Sequence, residues 1–285
     1  MATQQQPLIR NISDTARWVA VFRAQESERP DAHFRDPFAR RLAGGRGEQI
    51  AAAIGFAKKN AWSFVTRTVL FDRFITAQVE QGVDMVINLA AGLDARPYRM
   101  ALPATLEWVE VDLPEIFDSK EEVLRNDQPV CRLERVRLDL SDVAARRRLL
   151  AQLGTRAKRT LVVTEGLLVY LTREEVGTLA QDLAAPGSIQ RWVIDLASPG
   201  LLKMMNKEMG RSLAHARAPL KFAPAEGPAF FQQHGWKVVA APSLLHEAAK
   251  LNRLSFLFRL FAKFPEPKQP AGSRPWSAVC LLERV

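Results

Sequence analysis

The chain has 285 residues, 47% of them hydrophobic and 25% charged, with a formal net charge of +9. That is ordinary globular composition, long enough for one large α/β domain with additions, and its apolar runs fall short of the roughly 20 residues a membrane-spanning helix needs. Met1 to Pro7 lacks the apolar stretch of a secretory signal, and the two cysteines, Cys131 and Cys280, sit singly in strand-like runs, so a cytoplasmic protein with buried free thiols and no metal site is expected.

The first eighty residues read as helical. Ser13 can cap a helix through Trp18, Val19 and Phe22, with Asp14 favourable in its first turn. Asp36-Pro37 opens a short second helix that Gly44-Gly45 ends, and Trp62 to Glu80 is a longer amphipathic helix stopped by Gly82. Residues 1–82 are thus expected to be a helical cap within the same domain as residues 83–285. From residue 85 the pattern alternates. Strands are predicted at 85–90, 107–112, 132–139, 160–165, 191–197, 236–241 and 277–283, with helices at 115–125, 142–152, 173–184, 201–216 and 245–263. Thr172-Arg173-Glu174-Glu175 is a capping box that opens one of those helices. Such alternation predicts a mostly parallel seven-stranded sheet with helices on both faces, ending in an antiparallel pair. The apolar stretch Leu254 to Phe264 is expected to pack on the sheet or over the active site. The basic clusters Arg35/Arg40/Arg41/Arg46, Arg146-Arg147-Arg148 and Arg156/Lys158/Arg159 fall in predicted surface segments without interleaved aromatics. They read as a solubilising face, so neither a nucleic acid nor a membrane is expected as partner.

The most informative stretch is Met85 to Arg96, MVINLAAGLDAR, in which a buried strand ends abruptly in Ala90-Ala91-Gly92. Small residues at a strand's carboxyl end let a ligand lie against the backbone. Twenty residues beyond Gly92, the next strand ends in Asp112, the spacing of an acid that accepts from ribose hydroxyls. The turn lacks the third glycine that packs beneath a pyrophosphate, and Asp94 beside it repels phosphate. A nucleoside with a cationic tail, S-adenosylmethionine, fits better than a dinucleotide. Asp139-Leu140 ends the third strand, where the acid can accept from an adenine amino group and the leucine can pack on the ring. The alternative for Asp139, or for Ser141, is to cap the following helix. Glu165, after the fourth strand, points into the same crevice.

NLAAGLDARPYR, VEVDLPEIFDSK and VTEGLLVYLTREEV, in this order and spacing, resemble the leucine carboxyl methyltransferase family, a class I S-adenosylmethionine-dependent group with many bacterial small-molecule O-methyltransferases. The likeness extends to SDTARWVAVFRA, DPFARRL and the RTVLFD segment around Arg67. It implies a Rossmann-like class I fold with a mostly parallel seven-stranded sheet and an N-terminal helical cap. By the same resemblance Arg67 grips the cofactor's methionine carboxylate, and Ala91 and Gly92 line its methionine portion. Asp112 takes the ribose, Asp139 and Leu140 the adenine, and Glu165 the amino end. Ala90 and Ala95 depart from the family, which usually has glycine and threonine there. Ala90 is tolerated if its φ is negative and weakens binding if it is not.

The reaction implied is in-line attack of an oxygen on the sulfonium methyl of S-adenosylmethionine, the acceptor being a carboxylate or hydroxyl of a small molecule, an anionic one included. A carboxylate needs no general base at neutral pH, whereas a phenol does, and only His33 offers itself. Tyr170 and Arg17 are candidate substrate contacts, with Arg23 beside Arg17. The alternatives are a carboxyl methyltransferase acting on a protein C-terminus and a basic RNA-binding protein; a nicotinamide dehydrogenase is disfavoured by the turn.

Overall fold

A computed structural model describes residues 12–53, 55, 59–215, 219–264, 272 and 274–285. The apolar runs become seven strands: β1 (Met85–Leu89), β2 (Glu107–Asp112), β3 (Arg132–Arg137), β4 (Thr160–Thr164), β5 (Ile189–Ala197), β6 (Trp236–Ala240) and β7 (Ser277–Arg284). They form one sheet in the order β3-β2-β1-β4-β5-β7-β6. The first five strands pair in parallel, and β7 lies antiparallel between β5 and β6. Every residue of β1 and β4 is buried, as a central strand covered on both faces requires.

The helices are α1 (Ile12–Ser27), α2 (Ala39–Ala53), α3 (Ala61–Glu80), α4 (Arg96–Arg99), α5 (Pro114–Leu124), α6 (Val143–Arg156), α7 (Arg173–Ala184), α8 (Pro199–His215), α9 (Leu244–Lys250) and α10 (Phe256–Phe261). On one sheet face Leu70, Phe71 and Ile75 of α3 pack against Val86, Trp108 and Leu161. On the other, Leu150 and Leu153 of α6 and Val176, Leu179 and Leu183 of α7 cover Ile87, Val109 and Trp192. α1 lies over the carboxyl ends of the strands, where Trp18 and Phe22 meet Phe64 of α3 with ring centroids 5.6 and 5.0 Å apart. The predicted capping box at Thr172 and Glu175 is formed, and Gly82 follows α3 with a φ of 91°.

Several local readings need correction. Ser13 lies inside α1, whose described residues begin at Ile12, and not ahead of it. Gly44 breaks α2 as expected, with φ 58° and ψ 178°, but the helix resumes beyond it. β3 ends at Arg137 rather than at residue 139, and Cys131 precedes it while remaining buried. Asp142, not Asp139 or Ser141, caps α6 by accepting from the Ala145 N–H. The helix expected over 245–263 is two helices, because Asn252 adopts a φ of 55° between α9 and α10. Leu254 is buried and Phe258 packs against Trp62, but Phe256, Leu257, Leu260, Phe261 and Phe264 face outward, so this segment covers neither the sheet nor the active site as a whole. Arg146, expected on the surface, is buried and bonded to Asp182. No helix among the described residues is long and apolar enough to cross a membrane.

Candidate active site

A cavity of about 660 Å³ opens where β1 to β5 end, roofed by α1 and α3. That is where open α/β sheets bind ligands and a usual size for a small-molecule site. Arg67, Ala91, Gly92, Asp112, Asp139, Leu140, Glu165 and Tyr170 all line it.

The turn after β1 forms part of its lining. Ala90 and Gly92 both adopt left-handed backbone, with φ of 54° and 52°. The methyl group of Ala90 therefore sits in a conformation that costs an L-residue about 1–2 kcal/mol; the condition for its easy tolerance is not met. The turn is tied to the neighbouring strand end: Gly92 donates its N–H to Asp112 Oδ2 at 2.6 Å, and Leu113 donates to Oδ1 at 2.7 Å. A carboxylate oxygen accepts more than one bond, so both keep acceptor capacity for a pair of hydroxyls. Burial pushes the Asp112 carboxyl above its ordinary value, and the two backbone bonds work against that rise. Further along the sheet, Asp139 Oδ1 accepts from the Ser141 N–H at 2.8 Å, and the Leu140 carbonyl accepts from Arg146 at 2.6 Å.

At the other end, on the β1 and β4 side, lies a ladder of ion pairs. Arg67, carried inward by α3, donates through Nε to Glu165 at 3.0 Å and through Nη1 to Asp195 at 3.1 Å. Glu165 also holds Arg96 at 2.8 Å, and Arg96 pairs with Asp94 at 2.9 Å and Asp72 at 2.6 Å. Asp72 reaches Arg99 at 2.7 Å, Arg99 lies 3.8 Å from Asp36, and Asp36 pairs with Arg23 at 2.9 Å. Four arginines thus face five carboxylates, Asp36, Asp72, Asp94, Glu165 and Asp195, and the ladder joins α1 and α3 to the strand ends. Asp112 and Asp139 add further negative charge to the cavity. A chain with an excess of nine positive charges therefore presents an acid-rich hollow. Burial alone raises a carboxyl, but Arg96, with Lys120 and Arg99, outweighs it at Asp94 and holds that group at about 2. Asp195 is shifted the opposite way, raised by burial despite Arg67.

Asp195 was not singled out in the sequence. It is the acid near the carboxyl end of β5, within the run Trp192-Val193-Ile194-Asp195, and it accepts from the Gly166 N–H at 2.7 Å as well as from Arg67. Its signal was an acid interrupting an apolar strand, whereas Asp112 was marked by ending one at a set distance from Gly92. Other candidates lie elsewhere. Arg17 does not line the cavity; it donates to Ser119 Oγ at 2.7 Å and to the Leu42 carbonyl. His33 hydrogen-bonds the Leu251 carbonyl through Nε2 at 2.8 Å and is likewise outside the lining. Arg23 lines the cavity with its guanidinium on Asp36 and the Leu93 carbonyl. Burial raises the Tyr170 phenol above its ordinary value, so it stays protonated at neutral pH; its hydroxyl bonds Thr15.

These residues fit a nucleoside carrying a cationic sulfonium. Asp112 offers acceptors beside a turn without bulky side chains, the surroundings carry surplus carboxylate, and Arg67 keeps its Nη2 edge for an anionic end. Glu165 already carries two guanidiniums, so any ligand amino group shares it with them.

Comparison with known proteins leads to the same family. The family model described as leucine carboxyl methyltransferase matches residues 16–184. A relative from Frankia alni is 31% identical, with 84% of this chain and 88% of that one aligned, and one from Mycobacteroides abscessus is 30% identical, with 86% and 89% aligned. Both are named "putative S-adenosyl-L-methionine-dependent methyltransferase". The fold is shared with a crystal structure of a DUF574 family protein from Streptomyces avermitilis, at a TM-score of 0.60 and 14% identity over 93% of this chain and 96% of that one. Another likeness is to a structure titled as a putative methyltransferase from Thermobifida fusca, at 0.56 and 15% over 97% and 96%. The chain belongs to the leucine carboxyl methyltransferase family.

Proposed function

We infer that this S-adenosylmethionine-dependent methyltransferase acts on an oxygen of a small molecule. The observation that carries this reading is the partial roof: α1 and α3 supply Trp18, Val19, Trp62 and Phe64 to the lining over the strand ends. A site narrowed by large apolar side chains suits a small acceptor better than a protein C-terminus. S-adenosylmethionine supplies the electrophilic methyl when bound; Arg67 holds its carboxylate end, Asp112 its ribose, and Asp139 with Leu140 its adenine.

What the chain contributes to the chemistry is alignment, an effect that can supply on the order of 7–11 kcal/mol. A carboxylate acceptor arrives ionised and needs nothing more. A hydroxyl acceptor must lose a proton, and one observation favours Asp195 for that task. It lines the cavity, and burial raises its affinity for a proton. Tyr170 serves as a hydrogen-bond donor.

The test is turnover of methyl-labelled S-adenosylmethionine with a panel of small acids, alcohols and phenols, with the product treated with base. Label released as methanol identifies an ester, and base-stable label an ether. Label found only in protein or RNA added to the reaction overturns the small-molecule reading.

A further inference from the structure

We propose that the methyl acceptor is a largely apolar molecule with no anionic group besides the reacting oxygen. The inference rests on the methyltransferase reading and concerns the part of the cavity that the cofactor-binding residues leave over.

Strand order lays the cavity out. Asp112 and Asp139 stand at the ends of β2 and β3, and the cluster of Arg67, Glu165 and Arg96 stands at β1 and β4. The remaining space lies toward β5 and under α1. Its wall is one apolar cluster in which Trp18, Val19, Phe64, Val169, Met205 and Leu220 pack together, and all six line the cavity.

The charges decide what else can enter. Four arginines line the cavity among the described residues, and each is committed: Arg23 to Asp36, Arg67 to Glu165 and Asp195 with its Nη2 edge given to the cofactor's carboxylate, Arg96 to Asp72, Asp94 and Glu165, and Arg146 to Asp182. No lysine lines it among those residues. A carboxylate, sulfate or phosphate on the acceptor's body would enter without a counter-ion and beside surplus carboxylates. Burying an unpaired charge costs far more than burying a neutral polar group. The indole N–H groups of Trp18, in this wall, and of Trp62, elsewhere in the lining, have no hydrogen-bond partner among the described residues, and both are neutral donors. The apolar surface also continues outward. The Trp62 ring lies 5.6 Å from Phe258 of α10, whose neighbours Phe256, Leu257 and Phe261 are exposed.

The experiment loads the protein with S-adenosylhomocysteine, confirms that binding by calorimetry, and then titrates a matched pair, 2-naphthol and 6-hydroxynaphthalene-2-sulfonate. The expected result is at least tenfold tighter binding of the neutral compound. Val19→Arg, which places a cation on the wall, should narrow that ratio to threefold or less; the wild-type ratio stands as the test if this variant does not fold. Equal or tighter binding of the sulfonate overturns the proposal, and so does failure of both compounds to bind the loaded protein. Failure of S-adenosylhomocysteine itself to bind is read in the first titration and strikes the methyltransferase reading instead.

Discussion

Ala90→Gly should make the protein more stable, against the usual direction for a glycine introduced into a folded chain. Ala90 holds a φ of 54° at the end of β1. The left-handed conformation costs an L-residue about 1–2 kcal/mol, which glycine recovers. Against this, glycine widens the unfolded ensemble at a cost of about 0.4–1 kcal/mol. The balance is a gain of about 1 kcal/mol, or a rise in Tm of roughly 2–4 °C for a domain approaching this size. The second left-handed residue of the same turn supplies the mirror experiment. A Cβ on Gly92 would lie 3.5 Å from the Ala16 side chain, an ordinary contact, so Gly92→Ala introduces backbone strain without a clash. It should lose about what Ala90→Gly gains. Chemical denaturation and calorimetry of the ligand-free protein measure both changes, and titration with S-adenosylhomocysteine shows whether relieving the turn also tightens binding. A lower denaturation midpoint for Ala90→Gly would refute the argument, because it would mean that the alanine methyl contributes packing worth more than its strain.

Three further variants probe the cavity. Asp112→Ala removes the carboxylate that holds the Gly92 and Leu113 N–H groups, and S-adenosylhomocysteine affinity should fall at least tenfold; unchanged affinity in calorimetry removes Asp112 from the ribose site. Arg67→Met leaves Glu165 and Asp195 without their shared cation, which should cost about 3 kcal/mol in urea unfolding, the scale of a broken buried pair, along with most of the cofactor affinity. For Asp94 the folded state depresses the pKa from 3.8 to about 2, so its contribution is fully present above pH 4 and is lost as pH falls toward 2. Asp94→Asn should therefore be less stable than wild type by about 2 kcal/mol at pH 7, with the two denaturation curves converging near pH 2.

The fold was legible because β1 and β4 are short, mostly apolar runs, the pattern of central strands, and because Thr172 and Glu175 announce a helix start. Element ends were less legible, since they depend on single backbone angles. Asn252 divides a stretch whose apolar content reads as one continuous helix. The outward face of α10 was missed for a related reason: composition shows that a segment is apolar but not which side it turns to the protein. At the site, acids at strand ends were read correctly as cavity residues, because a parallel sheet delivers all its carboxyl ends to one place. Asp195 escaped because a nine-residue strand hides its end. Arg17 was misplaced because helix periodicity relates neighbours on α1 to one another without saying which flank meets α2 and α5.

The surplus of carboxylates over guanidiniums at the cavity floor bears on turnover as well as on recognition. Methyl donation turns a positively charged sulfur into a neutral thioether, so the spent coenzyme feels less of the attraction that drew the fresh one in. Such a floor discriminates between the two forms by electrostatics and eases departure after each cycle. Added salt should accordingly weaken capture of the donor more than it weakens retention of its by-product.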